Sequence, residues 1–202
     1  MIDIGTGDGR FVYQCALANR TKFFIGIDAS PKPLEKISEK IYRRPAKGGL
    51  PNVLFVQAAV EDLPAELDGV ANEIHIYFPW GSLLRAVVSA DAGVLCNLRR
   101  ICAPGCVLEI IIGLDHSRDR AEIERLGLPA LSKEYLAVLI DKYRAAGFDV
   151  LETGTLDEAA WSQLQTSWAR RLQGNTRREV VYLVARAAPV AGSALATDAS
   201  GL

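Results

Sequence analysis

The fold is decided by a glycine-rich stretch near the beginning of the chain, Asp3-Ile4-Gly5-Thr6-Gly7-Asp8-Gly9-Arg10. The stretch follows apolar residues and precedes a helical pattern. Its glycines therefore predict a tight turn that brings backbone N–H groups to a ligand at the N-terminus of a helix. Asp28 stands nineteen residues after Gly9, at the end of the next predicted strand, where a carboxylate suits the two hydroxyls of a ribose. The pattern indicates an α/β fold with a nucleoside-containing cofactor.

Two features of the loop distinguish between cofactors. Arg10 occupies the position at which a dinucleotide site would carry a third glycine, and Asp3 places an acid directly before the loop. An acid attracts a cationic amino group and repels a pyrophosphate. We therefore predict S-adenosylmethionine, a nucleoside with a zwitterionic amino-acid arm, bound around Asp3, Gly5, Gly7, Gly9 and Asp28. The alternatives are an NAD-dependent oxidoreductase and a glycine turn that binds no cofactor.

Short β-branched runs alternate with helical stretches along the chain. Strands are predicted at 23–27, 53–56, 74–78, 107–112, 148–155 and 179–187, and helices at 9–20, 31–43, 91–102, 133–146 and 157–173. With a short first strand before the glycine loop, this alternation predicts a seven-stranded, mostly parallel, doubly wound sheet whose last two strands form an antiparallel edge. We expect one domain over residues 1–187 and a disordered tail over 188–202.

Composition sets few limits on function. The formal net charge of −1 does not by itself indicate a nucleic-acid partner. The four cysteines, Cys15, Cys96, Cys102 and Cys106, lack the spacing of a zinc site and are expected to be reduced, buried thiols. No apolar run approaches about 20 residues and no secretory leader is recognisable, so we expect a cytoplasmic protein with no membrane span and no bound metal.

The loop after the third strand, Ala58-Ala59-Val60-Glu61-Asp62-Leu63-Pro64, is expected to lie beside the adenine of the cofactor. A carboxylate there can meet the edge of the ring. Glu61 or Asp62 can equally belong to the first turn of a helix, whose dipole favours an acid. The residues alone leave both interpretations open.

The fourth strand ends in Phe78-Pro79-Trp80-Gly81-Ser82, where the chemistry of an open α/β sheet is expected. Many methyltransferases that act on exocyclic amines carry Asn/Asp-Pro-Pro-aromatic here, and the polar residue binds the amine. Phe78 replaces that residue, which favours attack by a ring nitrogen such as adenine N1. Its in-plane lone pair needs positioning rather than a strong base. Neither His75, inside a strand as a satisfied sheet residue, nor His116, in a loop, is expected to be catalytic.

Trp80 and Trp168 are the candidates for holding the target base. Two tryptophans from distant segments can sandwich a flipped base, although a tryptophan on an amphipathic helix such as Trp168 is usually a core residue. Basic residues also form two clusters, over 32–47 and over 170–178. The first cluster alone is typical of a solvated helix face, but two clusters on segments that bracket one cofactor site favour a phosphate-binding surface.

Four segments together carry a more specific signal: the glycine loop, Pro45-Ala46-Lys47-Gly48-Gly49-Leu50-Pro51-Asn52, Phe78-Pro79-Trp80-Gly81-Ser82-Leu83-Leu84 and Thr166-Ser167-Trp168. They resemble the aminoglycoside-resistance methyltransferases of 16S ribosomal RNA, in the branch that modifies N1 of adenine 1408 in the decoding site. The resemblance runs from residue 1 to about 187. It implies a class I, Rossmann-like fold that uses S-adenosylmethionine.

The resemblance also implies roles for individual residues. Asp3 and Gly5 meet the methionine arm, Asp28 the ribose, and Val60 with Glu61 the adenine, while Pro79, Ser82 and Thr166 line the methyl end. Trp80 and Trp168 stack the flipped adenine. The residues expected to touch RNA are Lys40, Arg43, Arg44, Lys47, Asp119, Arg125, Arg171 and Arg178.

The expected partner is the assembled 30S subunit, bound by a monomer, and methylation there is expected to confer aminoglycoside resistance. Members of the family begin with an N-terminal β-hairpin that this chain lacks, and Glu39 stands where some relatives have lysine. Three alternatives stay open beside the NAD enzyme. The chain could methylate another RNA, methylate a small molecule, or bind RNA without catalysis.

Overall fold

The parallel strands and their crossovers place the glycine loop at one edge of a single sheet. The computed structural model describes residues 1–161, 166 and 179–189. The strands are β1 (Ile2–Ile4), β2 (Phe24–Asp28), β3 (Val53–Gln57), β4 (Ala71–Tyr77), β5 (Cys102–Leu114), β6 (Phe148–Leu156) and β7 (Glu179–Ala187). They form a seven-stranded sheet in the order β3-β2-β1-β4-β5-β7-β6. The first five strands are parallel, and β7 is antiparallel to both β5 and β6.

The helices are α1 (Arg10–Ala18), α2 (Glu35–Ile41), α3 (Gly81–Ser89), α4 (Ala92–Ile101), α5 (Arg120–Leu126), α6 (Lys133–Ala145) and α7 (Glu158–Trp161), with 3-10 turns at Pro45–Lys47 and Ala65–Leu67. Alternate residues of each buried strand point to opposite faces of the sheet. Ile25 and Ile27 join the larger core, which includes apolar residues of α3, α4 and α6. Phe24 and Val53 join a second core with α1 and α2. The sheet is therefore covered on both faces.

The structure confirms the predicted fold class, with the antiparallel edge, and corrects several element boundaries. The second helix begins at Glu35 rather than at 31 because Pro31 and Pro33 interrupt the pattern. The sequence analysis missed α3 and α5. The predicted helix over 157–173 is described only at its start, as α7, and residues 162–165, 167–178 and 190–202 of the predicted helix, basic cluster and tail lie outside the described residues.

The remaining expectations concern cysteines, metals and membranes. All four cysteines are free, but Cys96 is exposed and Cys15 only half-buried, so the expectation of four buried thiols was wrong. Within the described ranges, no group of three or more His, Cys, Asp or Glu side chains is arranged to hold a metal. Across the same residues no single helix is long and apolar enough to cross a membrane. The helices α3 and α4 pass that test only as a pair, which is bent by 93°.

Candidate active site

The largest concentration of predicted site residues lies around one cavity of about 260 Å³. Its walls come from the residues that follow β1, β2, β3 and β4 at the carboxyl edge of the sheet. Between β1 and β4 the chain reverses its direction of winding, because β2 and β3 lie on one side of β1 and β5 on the other. Ligands of open α/β sheets bind at this switch point. The lining residues are Ile4, Gly5, Gly7, Asp28, Ala29, Ala58, Ala59, Val60, Glu61, Phe78, Pro79, Trp80, Ser82 and Leu83.

The glycine loop is docked onto the end of β2 by backbone hydrogen bonds. The N–H groups of Gly5 and Thr6 donate to the carbonyl oxygen of Ile27 at 2.8 and 3.0 Å. Gly5 has a φ of +76°, in the left-handed region that favours glycine, and a Cβ there would lie 2.6 Å from the Leu83 side chain. The loop can therefore adopt this path only with glycine at that position.

Asp28 holds the other side of the loop. One carboxylate oxygen accepts from the backbone N–H of Gly7 at 2.8 Å and the second accepts from that of Ser30 at 2.9 Å. Each carboxylate oxygen has two lone pairs, so both retain capacity for a further donor. Asp28 also lines the cavity. Its position and remaining acceptor capacity suit a ribose diol.

Asp3 lies buried in β1 directly before the loop, with only 4% of its surface exposed. The pKa of its carboxyl group is raised to about 7, mainly by burial; the Thr6 side chain lowers this pKa and the Asp28 carboxylate raises it by smaller amounts. The groups that shift this pKa include no cation. A buried acid of this kind is best stabilised in its charged form by a positive group that arrives with a ligand.

The fourth strand delivers Phe78 to the cavity in an unusual conformation. Phe78 has a φ of +51°, which is uncommon for a residue with a bulky side chain. Its backbone N–H donates to Ile111 at 2.7 Å, and its buried ring packs against Ile111 and Val180. These contacts hold the turn in place. Trp80 follows at the N-terminus of α3 with 44% of its surface exposed, so it presents an aromatic face to the cavity mouth rather than to the core.

The cavity offers few groups that could act as a base. Of the described residues that line it, only Asp28 and Glu61 carry an ionisable side chain, and both lie on the side formed by β2 and β3. His75 lies in β4 and stacks on Tyr77 with ring centroids 4.9 Å apart. Burial lowers the pKa of His75, and its Nδ1 has no hydrogen-bond partner within the described part of the chain, so it is not the satisfied residue that we expected. His116 lies in a turn, 3.5 Å from Glu179.

The first basic cluster lies mostly on α2 and on the segment that follows it, residues 42–50, which we call the basic loop. Arg43, Arg44 and Lys47 are exposed, whereas Lys40 lies over the ring of Tyr13, with its Nζ 4.0 Å from the centroid. The Tyr13 hydroxyl donates to the Gly48 carbonyl at 2.9 Å. These two contacts of Tyr13 fasten the basic loop to α1, the helix that follows the glycine loop.

Two other predicted RNA contacts have partners within the protein. Asp119 accepts from the backbone N–H of Asp115 at 2.9 Å and precedes α5. Arg125 makes a two-pronged ion pair with Glu122, both bonds measuring 2.7 Å. This exposed ion pair is a weak contact in water, and it uses only two of the five N–H donors of the Arg125 guanidinium. Arg171 and Arg178 lie outside the described residues.

Comparison with known proteins shows to which family the chain belongs. The model of the 16S rRNA (adenine(1408)-N(1))-methyltransferase family NpmA matches residues 1–187. The chain belongs to this family. The enzyme of that name from Escherichia coli is 40% identical over 181 residues, covering 88% of this chain and 82% of the relative. These matches confirm the resemblance that the sequence motifs indicated.

Solved structures of the adenine-1408 methyltransferases superpose closely on this chain. The aminoglycoside resistance methyltransferase NpmB1 has 47% identity and a TM-score of 0.81, covering 92% of this chain and 85% of its own. A variant of the 16S rRNA (adenine(1408)-N(1))-methyltransferase from Catenulisporales acidiphilia, solved with its cosubstrate SAM, has 36% identity and a TM-score of 0.83, covering 93% and 85%. The seven-stranded fold is thus the fold of these methyltransferases.

The structure brings most of the predicted cofactor and catalytic residues together. Eight of them line the cavity: Gly5, Gly7, Asp28, Val60, Glu61, Pro79, Trp80 and Ser82. Asp3, which is buried in β1, and Gly9 are not among the lining residues. A Cβ on Gly9 would lie 2.5 Å from the Phe55 ring, so this glycine permits close packing of α1 against β3 instead. Thr166 is buried but is not among the described lining residues, and Trp168 lies outside the described part of the chain. The roles of Thr166 and Trp168 stay predictions.

Six further residues line the cavity, namely Ile4, Ala29, Ala58, Ala59, Phe78 and Leu83. Ala58, Ala59 and Phe78 belong to segments that were expected beside the cofactor, whereas Ile4, Ala29 and Leu83 were not predicted to contact it. Ala29, Ala58 and Ala59 follow directly after β2 and β3, so their position after a strand was an available signal. Small side chains there leave room for a flat ligand. Neither Glu61 nor Asp62 belongs to a helix, because the next helical turn begins at Ala65, so the interpretation as a helix start was wrong. Glu61 lines the cavity and Asp62 does not, and contact of Glu61 with the adenine stays a prediction.

The residues around the cavity fit S-adenosylmethionine. The buried Asp3 carboxyl group suits its ammonium group, Asp28 suits its ribose, and the cavity wall beyond Asp28 is apolar except for Glu61. A pyrophosphate cofactor fits poorly because the Asp3 and Asp28 charges would repel it.

We predict that Asp3→Asn stabilises the free protein and weakens cofactor binding. Below about pH 4 the Asp3 carboxyl group is protonated in both the folded and the unfolded protein, so its raised pKa does not affect stability. As the pH rises, the unfolded protein loses this proton first, which lowers the free energy of unfolding. This loss is complete above about pH 7, where the folded protein is also ionised. Removing the charge at pH 8 should therefore raise the free energy of unfolding by up to a few kcal/mol, and by less at pH 5. Calorimetric unfolding at both pH values, and titration with S-adenosylhomocysteine, measure the two effects.

Asp62→Asn is the matched control, because Asp62 is exposed and does not line the cavity. It should change neither quantity. A lower melting temperature for Asp3→Asn at pH 8, or an unchanged affinity for S-adenosylhomocysteine, contradicts the interpretation of Asp3.

We also predict that Gly49→Ala weakens binding to 30S subunits without affecting the cofactor. A Cβ at Gly49 would lie 1.6 Å from the carbonyl oxygen of Arg43, so the basic loop must open. Filter binding to 30S subunits should show a loss of about tenfold or more, because Arg43, Arg44 and Lys47 on this loop are expected to contact several phosphates. Gly93→Ala is the control, since its nearest atom is a side-chain oxygen of Asp91 at 3.3 Å. Equal loss with both variants would show that the loop has no special role.

Proposed function

We propose that this protein transfers the methyl group of S-adenosylmethionine to N1 of adenine 1408 of 16S rRNA, acting as a monomer on the assembled 30S subunit in the cytoplasm. The observation that carries the proposal is the cavity at the carboxyl edge of the sheet. Its wall includes Asp28, the glycine loop that follows the buried Asp3, and the exposed Trp80. Membership of the adenine-1408 family supplies the identity of the nucleotide.

The reaction requires the protein mainly to position the methyl group and adenine N1 relative to each other. S-adenosylmethionine supplies an electrophilic methyl group on a positively charged sulfur. Adenine N1 is neutral at physiological pH and attacks through its in-plane lone pair, so no proton has to be removed first. This agrees with the absence of a base among the described residues at the Phe78–Leu83 end of the cavity. The N1 product is cationic, and its exocyclic amine can later lose a proton to water.

Each part of the site then has a positioning role. Asp3 and the glycine loop fix the amino-acid arm, and Asp28 fixes the ribose. The strained turn at Phe78 directs Pro79 and Trp80 to the cavity mouth, where Trp80 can stack on an adenine that has left its helix. Stacking on an aromatic face contributes about 1–3 kcal/mol, which offsets part of the energy needed to extrude a base. Trp168 is proposed as the opposing face.

The exposed residues Arg43, Arg44 and Lys47 are proposed to bind rRNA phosphates, together with Lys40, Arg171 and Arg178. Asp119 and Arg125 are proposed to lie on the surface that faces the RNA. The affinity for rRNA depends on how many phosphates these cationic side chains neutralise rather than on any single contact, and each neutralised phosphate adds to the salt dependence of binding. A methyl group and a positive charge on N1 block hydrogen bonding at that atom. Aminoglycosides that need this contact then bind the decoding site less well, which gives resistance.

We predict that purified protein, incubated with 30S subunits and labelled S-adenosylmethionine, produces a reverse-transcriptase stop one nucleotide before adenine 1408. The stop arises because a methyl group on N1 prevents base pairing. Naked 16S rRNA and a panel of small nucleosides serve as alternative substrates. Label only on another RNA position or only on small molecules contradicts the proposal, and binding of NAD without S-adenosylhomocysteine favours an oxidoreductase.

Trp80→Ala and Trp168→Ala should each abolish turnover on 30S subunits while the affinity for S-adenosylhomocysteine stays within a few-fold. The expected loss follows from removing one stacking face from the flipped adenine. Single-turnover methylation and calorimetric titration measure the two quantities. If either variant loses cofactor binding as severely as turnover, that tryptophan is a packing residue.

A further inference from the structure

The cofactor cavity is supported from behind by α4. The side-chain amide of Asn97, half-buried on this helix, donates to two consecutive backbone carbonyls of the loop after β3. Its Nδ2 lies 3.1 Å from the Val60 oxygen and 2.8 Å from the Glu61 oxygen. Val60 and Glu61 both line the cavity. One side chain outside the cavity therefore fixes the orientation of two peptide groups in its wall.

This loop has few other hydrogen bonds to hold it. Ala58 donates to Asp28 at 3.1 Å and Asp62 to Ala59 at 3.0 Å, and the next regular turn begins only at Ala65. The carbonyls of Val60 and Glu61 are directed to α4. The N–H of Glu61 lies on the opposite side of its peptide group from the Val60 carbonyl and therefore points away from α4, whereas the N–H of Asp62 is bonded to Ala59. Glu61 itself lines the cavity. Without Asn97, the two carbonyls would need partners in water, and the wall would sample other orientations.

The location of the loop tells which part of the cofactor it serves. Asp3 lies at the amino-acid end and Asp28 at the ribose, so the wall beyond β2 faces the base. Arg100, one turn further along α4, also grips the β3–β4 connection, through the Leu63 carbonyl at 2.7 Å and an ion pair with Asp68. Neither Leu63 nor Asp68 lines the cavity among the described residues. Of these two α4 residues, Asn97 is the one that reaches the base-binding wall.

We propose that Asn97 is a positioning residue for the adenosine part of the cofactor. It preorganises the Val60–Glu61 wall, so that binding does not have to order it. Because cofactor and product share the adenosine group, Asn97 supports binding of both to the same degree and leaves the methyl-transfer step unchanged. The inference rests on the cofactor site and is independent of which nucleotide is methylated.

The test replaces Asn97 by Leu, which has nearly the same size but no donor, and by Asp, which places a negative charge against the two carbonyls. Calorimetric titration with S-adenosylhomocysteine should give a Kd raised about tenfold by Leu, equivalent to about 1.4 kcal/mol, and by more with Asp. Titration with 5′-methylthioadenosine, which lacks the amino-acid arm, should show the same fold-change. In turnover assays the KM for S-adenosylmethionine should rise while kcat at saturation stays within about twofold.

Asn52→Leu is the matched control. Asn52 is also an asparagine whose Nδ2 donates to backbone carbonyls, those of Ala16, Asn19 and Lys22 at 3.0–3.1 Å, but it lies away from the cavity. It should lower the melting temperature without changing either Kd. All variants are measured at a temperature at which circular dichroism shows them folded, and Asn97→Ser replaces Asn97→Leu should the latter not fold.

An unchanged Kd in a folded Asn97 variant overturns the proposal, and so does an equal rise of Kd in Asn52→Leu, which would reveal a general effect of lost stability. A rise for S-adenosylhomocysteine but none for 5′-methylthioadenosine also overturns it, because the effect would then lie at the amino-acid end. Since these titrations contain no RNA, wild-type protein that binds S-adenosylhomocysteine but does not methylate 30S subunits would contradict only the proposed function.

Discussion

Asp3 is the middle residue of β1, the strand that lies between β2 and β4 and leads into the glycine loop, and its carboxyl group is buried. Burial opposes its charge and raises its pKa to about 7, near the pH of the cell. A folded protein without ligand gains nothing from such a group. Its presence makes sense when a cation arrives from outside, and the ammonium group of S-adenosylmethionine is a cation of the right kind. The glycine loop, which follows Asp3 in the sequence, carries the chain from this carboxyl group to the wall of the cavity.

The order of the strands brings short segments that are far apart in the sequence together at one site. Four parallel strands end at the same edge, and each contributes a short segment to the cavity wall. The helices on the two faces of the sheet support different parts of the site. The helices α1 and α2, with the basic loop fastened by Tyr13, lie on one face, while α4 on the other face holds the wall of the cavity through Asn97. Catalysis by positioning needs such support, because a misplaced base or methyl group loses most of the rate.

Sequence reasoning predicted the fold class and much of the site because the strands are β-branched runs bounded by turn residues, and because strand ends bear the ligands in this fold. It missed α3, which begins with a glycine after Pro79-Trp80, and α5, which has only seven residues. Gly9 was assigned to the cofactor, but the Phe55 ring, distant in sequence, occupies the space beside it. The conformation of Phe78 likewise depends on Ile111 and Val180. Local patterns carry no information about such distant neighbours.

The ionisation of Asp3 can be followed directly by NMR of protein labelled with ¹³C at the aspartate carboxyl carbons, with Asp3→Asn identifying the resonance. In the free protein the account predicts a titration midpoint near 7, far above the ordinary value of 3.8. Saturation with S-adenosylhomocysteine, whose ammonium group should meet the carboxylate, is predicted to move the midpoint down by at least two pH units, a change of about 2.7 kcal/mol in the relative stability of the two forms. A midpoint near 4 in the free protein, or one that the ligand leaves unchanged, would contradict the account.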